Sequence, residues 1–262
     1  MRIILDLFTP NKAISHSAAR LLVGGQIVVF LLIWMFSPTV FLPKPGEVLQ
    51  SFGYLWTQEG LGGELITSFL LNIEALFWAT IVTLALSYAS VMPFFRPIVT
   101  FVGKLRFLSL AGLSFFFMLM ATNGHELKVY LLTFSVTVFY VVSMADVVAG
   151  APKEQFDLAR TLNMGEWRTS LEVVVFGRAA DALDALRQNA AMSWMMLSLV
   201  ETMSREGGGV GTLLMDNQKH FHLAAVFCVE LCILVIGVGQ DYAIGVFKNV
   251  CCPYAELSLE RK

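Results

Sequence analysis

Six segments of mainly apolar residues constrain this chain more than any other feature, because about 20 such residues cross a bilayer as a helix. They run Leu21–Leu42, Leu65–Val91, Phe107–Ala121, Leu127–Gly150, Leu186–Met203 and Leu223–Phe247. The third is short and rich in phenylalanine (Phe115, Phe116, Phe117), and the fifth opens on Arg187, Gln188 and Asn189, so the ends of these two are weakly marked. Only 15% of the residues are charged, against about 25% in soluble proteins. The expected fold is an all-α membrane protein with about six transmembrane helices. A single membrane domain over residues 21–250 would lie between a cytoplasmic N-terminal segment, 1–20, and a cytoplasmic tail, 251–262.

The basic residues set the orientation. With the N-terminus in the cytoplasm and six alternating spans, Arg2, Lys12, Arg20, Arg96, Lys104, Arg106, Lys153, Arg160, Arg168, Arg178, Arg187, Lys248, Arg261 and Lys262 fall inside. Only Lys44, Lys128, Arg205 and Lys219 fall outside, so 14 of the 18 basic residues are cytoplasmic. Both termini are expected inside, and so is the polar stretch Gly150–Phe176 between spans four and five. No cleavable signal peptide is expected, since about twenty residues of mixed polarity precede the first apolar run. Outside, Pro43 and Pro45 force a turning exit from span one, and Glu206-Gly-Gly-Gly-Val-Gly211 is a flexible segment suited to close backbone approach.

Several function classes are excluded. A net charge of -2 without a dense basic patch gives no nucleic-acid surface. The four cysteines, Cys228, Cys232, Cys251 and Cys252, have neither disulfide-framework nor zinc spacing. There is no phosphate-binding loop, since the one Gly-Lys pair, Gly103-Lys104, is followed by Leu105. His125-Glu126 lacks the second histidine of a zinc protease, His220 and His222 have no ligand cluster, and no Gly-x-Ser-x-Gly elbow occurs. No catalytic or metal-ligating set is expected. An energised pump built from this chain must take its ATPase from a separate subunit.

Ionisable groups at membrane depth cost at least about 2.5–3.5 kcal/mol and are functional candidates. Glu74 falls near mid-membrane in span two, Glu230 about a third of the way into span six, and Glu201 at the outer end of span five, just before the glycine segment. Each could instead be bonded within the bundle and serve packing. Asp146 and Asp241 fall nearer the inner surface, where they are expected to be solvated. Met192, Met195, Met196 and Met203, with Trp194, give span five a polarizable surface for packing or for lining a pathway. Alanines between Ala179 and Ala191 permit close helix approach.

The polar stretch reads as a short amphipathic helix. Pro152 suits its first turn, Glu154 and Asp157 its N-terminal half, and Phe156, Ala159 and Leu162 recur as an apolar stripe. Such a helix rests in headgroups or inserts into a groove on a partner.

Asp157-Leu-Ala-Arg-Thr-Leu-Asn163 followed by Val173-Val-Val-Phe176 resembles the Glu-Ala-Ala-x3-Gly-x9-Ile-x-Leu-Pro signature of ABC importer permeases, the binding-protein-dependent transport inner-membrane components. Asp157 replaces Glu, Leu158 Ala, Asn163 Gly and Phe176 Pro; Asn163 tolerates the left-handed conformation glycine would supply. Leu42-Pro-Lys-Pro-Gly-Glu-Val-Leu49 resembles the opening of the nitrate/sulfonate/taurine subgroup. Ser68 is similar to the serine that begins its second span, although Leu71 stands where an arginine is usual. Lys104-Leu-Arg106, Ser193-Trp194…Glu201 and Gly209-Val-Gly211 are similar to further subgroup motifs, so the resemblance covers about Phe41 to Val246. It implies a multi-pass permease of the bacterial inner membrane, working as a homodimer with ABC ATPase subunits and an external solute-binding protein. It would bind no cofactor itself, ATP being held by the partner subunit. Pro152–Leu162 would be the coupling helix, with Pro152, Phe156, Asp157, Ala159, Arg160, Leu162 and Asn163 as ATPase-coupling residues. Translocation-path or gate candidates are Glu201, Trp194, Gly209, Gly211 and Glu74. The solute would be small, of nitrate, sulfonate or taurine type, although similar relatives carry vitamin precursors. The rival readings are an ion-coupled secondary transporter using Glu74 and Glu230, and an intramembrane enzyme.

Overall fold

The computed structural model describes residues 16–36 and 42–253. The N-terminal segment ahead of His16, the end of the first expected span and the tail from 254 on, with Arg2, Lys12, Arg261 and Lys262, lie outside the described residues. Every described element is helical, and no strand occurs among the described residues. In chain order the helices are α1 (His16–Phe36), α2 (Pro45–Gln58), α3 (Leu61–Ala89), α4 (Arg96–Lys104), α5 (Leu110–Met120), α6 (Gly124–Ala149), α7 (Lys153–Thr161), α8 (Glu166–Ser170), α9 (Ala179–Met203), α10 (Val210–Lys219) and α11 (Leu223–Cys251). A 3-10 turn, Leu105–Phe107, follows α4, and a π-helical turn, Leu171–Phe176, follows α8.

Four of these helices, α1, α3, α6 and α11, are long and apolar enough to cross a membrane. The count rises to five if the segment Arg96–Phe107 and α5, bent by 111°, form one broken span. The third expected span is thus a short helix following a sharp bend, and its phenylalanines Phe115 and Phe116 are exposed. The fifth expected span is a single helix of 25 residues, but it is not among the strongly apolar ones. The reason is where it sits. Packed against α6, α11 and α3, α9 turns Asn189, Ser193 and Glu201 into the protein interior.

Helices α3, α6 and α9 form the centre. Leu71, Ala75, Leu76 and Ala79 of α3 meet Leu131, Leu132 and Val136 of α6 and Ala190, Leu197 and Val200 of α9 in one core. Small residues on α3 let the helices approach closely, and Thr133 of α6 donates its hydroxyl to the Ala75 carbonyl at 3.5 Å. Helix α1 differs: its apolar side chains are exposed almost all round, as suits lipid rather than protein packing. It touches the bundle through Trp34, which donates Nε1–H to the Pro43 carbonyl at 2.9 Å and lies 5.4 Å from the Phe227 ring.

The helix ends follow local chemistry. Pro45 opens α2, and the Glu47 carboxylate accepts from the Lys44 amide at 3.1 Å. Asn123 caps α6, its side-chain oxygen accepting from the Glu126 amide at 2.9 Å. The starts of α3, α6 and α11 and the end of α9 lie at one end of the bundle, the end that the charge bias places outside. At the opposite end, Arg187 holds Asp241 through two hydrogen bonds of 2.6 and 2.5 Å, and Lys248 holds Asp184 at 2.6 Å. Asp241, expected to be solvated, is therefore one half of a bidentate pair between α9 and α11.

Candidate functional site

The end expected to face outside, hereafter the outer end, holds a polar clamp built on three central helices and the glycine segment. Glu201, in the last turn of α9, is fully buried at 0% exposure. Ser68 donates its hydroxyl to Glu201 Oε1 at 2.5 Å, and the Gly211 amide donates to Oε2 at 2.7 Å. Ser68 Oγ in turn accepts from the Val210 amide at 2.8 Å, so one serine links the loop backbone to the carboxylate. One turn earlier on α3, the Glu64 carboxylate accepts from the Gly209 amide. Lys128 of α6, only 2% exposed, donates to the Gly208 carbonyl at 2.6 Å. Glu201, Glu64 and Glu206 all lie within electrostatic reach of its ammonium. Glu206 completes the ring by accepting from the Gly124 amide, at the start of α6, at 2.8 Å.

The backbone in the middle of this clamp needs glycine. Gly207, Gly208 and Gly209 have φ of 79°, 69° and 114°, a run that L side chains rarely adopt. A Cβ on Gly209 would collide with the Glu201 carboxylate, and one on Gly211 would meet the Ser198 carbonyl and the Glu201 side chain. Close approach and left-handed backbone together turn the Gly209 and Gly211 amides onto the Glu64 and Glu201 carboxylates, an anion-holding arrangement whose anions are the protein's own.

Below the clamp, Ser193 donates to Asn72 Oδ1 at 2.5 Å, while Asn72 Nδ2 is buried with no hydrogen-bond partner. Trp194 is buried, donates Nε1–H to Gln240 at 2.7 Å and stacks on Phe69. Leu71, where the resembled subgroup has arginine, is 2% exposed and packed in the apolar core, where a charged group is costly to bury.

Of the expected gate residues, Glu201, Gly209 and Gly211 come together; Trp194 lies lower on the same helix, and Glu74 stands apart. Its carboxylate is exposed and 3.0 Å from His125 Nε2, near the start of α6. The expected mid-membrane position of Glu74 is thus close to the outer end of α6. Glu230 lies on another face, between α9 and α11, so the two carboxylates do not form a shared site. Lys128 and Glu64 are the clamp residues missed in the sequence. The pattern Glu64–Ser68–Asn72, one residue every helical turn on one face of span two, was the available signal. The expected Met-rich surface of α9 divides: Met196 and Met203 line a cavity beside the α4–α5 bend, and Met195 is exposed.

At the inner end, the polar stretch does contain a short helix, α7, with Pro152 one residue ahead of it. Its end is a Schellman motif: the Met164 amide bonds the Ala159 carbonyl at 3.1 Å and the Asn163 amide the Arg160 carbonyl at 2.9 Å. Asn163 takes φ of 55°, the left-handed conformation expected of it. The apolar stripe splits between two sides. Phe156 turns inward to line a cavity of about 560 Å³ with Arg96, Val99, Ala149 and Val174, and Ala159 is buried. Leu158 and Leu162 are each 62% exposed and Trp167 73%. Arg160 pairs with Asp157 at 3.7 Å and Glu166 at 3.4 Å, all three being exposed. After α8 the chain passes through the π turn, whose end bonds the Gly177 amide to the Glu172 carbonyl at 2.9 Å; Phe176, at the position of the signature's proline, is exposed.

Among the described residues no group of three or more His, Cys, Asp or Glu side chains could hold a metal ion. No family model matches the chain, and no curated protein matches it.

Proposed function

We propose that this chain is the membrane subunit of an ATP-driven importer resembling the nitrate/sulfonate/taurine type. In this reading it crosses the bacterial inner membrane six times, through α1, α3, the bent α4–α5 pair, α6, α9 and α11, with both termini inside. It works as a homodimer with two ABC ATPase subunits and an external solute-binding protein that delivers a small solute. The observation that carries the reading is the inner loop. Helix α7 is seated on its own bundle through Phe156 and Ala159, and ends in a Schellman turn at Asn163. It nevertheless leaves Leu158, Leu162 and Trp167 exposed beside the charged Asp157, Arg160 and Glu166. A rigid helix with exposed leucines at the aqueous end of a membrane bundle is a docking element for a partner groove. The Glu201 clamp serves as the outer gate: it fastens the glycine loop across the ends of α3, α6 and α9, and opening the outer end requires its hydrogen bonds to part.

The test is affinity purification of the tagged, detergent-solubilised protein from its native membrane, with mass spectrometry of what accompanies it. An ATPase bearing a phosphate-binding loop, recovered in near-stoichiometric amount, is the expected result. Recovery of the chain alone, under conditions that keep a known ABC importer intact, would sink the reading.

A further inference from the structure

The surface cleft between α9 and α11 belongs neither to the outer clamp nor to the inner loop. Its volume of about 370 Å³ is within the range of small-molecule sites, and its wall includes Ala191, Trp194, Glu230, Leu234, Gly237 and Asp241. Trp194 is fixed there, its Nε1–H on Gln240 and its ring stacked on Phe69. Gly237 faces the ring, with an added Cβ only 3.7 Å from it, so any longer side chain would begin to fill the space.

The charges in the cleft do not cancel. Asp241 is neutralised by the bidentate bond from Arg187. Glu230 makes no hydrogen bond and no ion pair with any described residue, yet it is exposed on an apolar helix among Leu234, Val235 and Val238. It is the eighth residue of α11, about 11 Å below the helix start at 1.5 Å per residue. A carboxylate left unpaired at membrane depth marks a ligand or transport path. The approach to it is acidic too. Over residues 42–74, 121–130 and 201–222, eight carboxylates stand against four basic side chains, and one of each, Glu201 and Lys128, is buried in the clamp. Such a field draws cations and repels anions.

We propose that the α9–α11 cleft binds the cationic group of the transported solute, with Glu230 as its counter-ion and Trp194 as an aromatic wall. The word "transported" rests on the importer reading above; the binding site does not. The solute class is a small organic cation or zwitterion with an apolar body, such as a protonated amine. Simple anions such as nitrate are excluded from this cleft, because no basic side chain lines it among the described residues and Arg187, at its Asp241 end, is committed to that carboxylate. A cation between a carboxylate and an indole gains from both at once in a poorly hydrated site.

The experiment uses the full chain in phosphatidylcholine nanodiscs, with benzyltrimethylammonium and benzenesulfonate as probes read by calorimetry. The expected result is saturable binding of the cation, none of the sulfonate, and at least tenfold weaker cation binding in Glu230→Gln, with Glu230→Asp retaining most of it. Equal binding of the two probes, or unchanged affinity in Glu230→Gln, overturns the proposal. A Leu234→Cys variant, made after replacing the four native cysteines by alanine, tests whether a second copy covers the cleft. Complete oxidative cross-linking between copies, indifferent to the probe, also overturns it. ATPase co-purification with Glu230→Gln separates the two readings. Recovered ATPase with Glu230-independent binding removes only the cation site; Glu230-dependent binding without any ATPase removes only the importer.

Discussion

Replacing Lys128 by methionine should loosen the outer clamp, and the size of the effect follows from the charges around it. Methionine keeps the unbranched stem, so packing changes little; what goes is the ammonium and its 2.6 Å bond to the Gly208 carbonyl. Glu201, Glu64 and Glu206 then face one another without a cation. Breaking a buried charge arrangement by removing one partner costs about 3–5 kcal/mol. For a chain of this size roughly 2–4 °C accompanies each kcal/mol, so thermal unfolding followed by tryptophan fluorescence in detergent should fall by roughly 6–20 °C. Glu201→Gln alone should cost about 1–3 kcal/mol, because the amide group cannot accept from both Ser68 and Gly211. The double variant is the decisive measurement. Once Lys128 is gone, the Glu201 charge is a liability, so Glu201→Gln should cost at least about 1 kcal/mol less in that background than in the native one. Additivity within about 0.5 kcal/mol would mean that Lys128 does not act through these carboxylates, and the charged-clamp argument would fail.

Gly209→Ala should destabilise the outer end by at least about 1–3 kcal/mol from backbone strain alone, with the clash against Glu201 added. Gly239→Ala, where an added Cβ meets nothing within 4 Å, should be neutral or stabilising by up to about 1 kcal/mol; equal unfolding temperatures for the two would refute the geometric account. At Asn163, glycine should be close to neutral and valine should cost roughly 1–2 kcal/mol, since only valine resists the left-handed turn; limited proteolysis of the loop reads this directly. Leu158→Asp and Leu162→Asp should leave thermal stability within about 0.5 kcal/mol yet cut ATPase recovery at least tenfold, and undiminished recovery would rule out this helix face as the docking surface. Ala159→Trp should instead lower stability by about 1–3 kcal/mol through overpacking, visible as a lower unfolding temperature in the isolated chain.

The helical class and the main apolar helices were legible because lipid imposes one simple rule on residues such as those of α3, α6 and α11: a long apolar run must be a helix. The rule is weakest where protein replaces lipid. Helix α9 carries Asn189, Ser193 and Glu201 because those side chains face α3 and α6, so hydropathy underrates it. The bend before α5 escapes hydropathy as well, since a 111° change of direction leaves apolar content untouched. At the candidate site the sequence pointed to Glu201 and the glycines, residues adjacent in the chain. It did not point to Lys128 or Glu64, whose roles arise only when α6 and α3 are brought against the loop, 80 and 145 residues away. Periodicity likewise placed Phe156, Ala159 and Leu162 on one stripe. It could not divide that stripe between the inner bundle face and the open one, because both faces accept apolar groups.

The inner loop and the outer clamp are joined by α6 on one side and α9 on the other, and the α9 connection can be broken on purpose. α9 begins after the two-residue link Gly177-Arg178 that follows the π turn, and carries Glu201 in its last turn. Between these ends it is pinned to α11 by Arg187–Asp241 and Trp194–Gln240, and to α3 by Ser193–Asn72. A helix held at so many points moves as a body, so along α9 a displacement of α7 reaches Glu201 through the turn at its base. In that turn the Gly177 amide bonds the carbonyl five residues back, one residue more than an α-helix uses. Deleting the exposed Phe176 removes the extra residue, restores α-helical spacing and rotates α7 by about 100° relative to α9. The central core, which contains none of Leu171–Phe176, should stay folded, with the unfolding temperature lowered only by the lost seating of Phe156 and Ala159. In the proposed importer, reconstituted with its ATPase, hydrolysis should continue while solute uptake falls at least tenfold. Uptake that survives the deletion with hydrolysis still tightly tied to it would show that the turn does not set the angle of the coupling loop, and that the connection to Glu201 runs elsewhere.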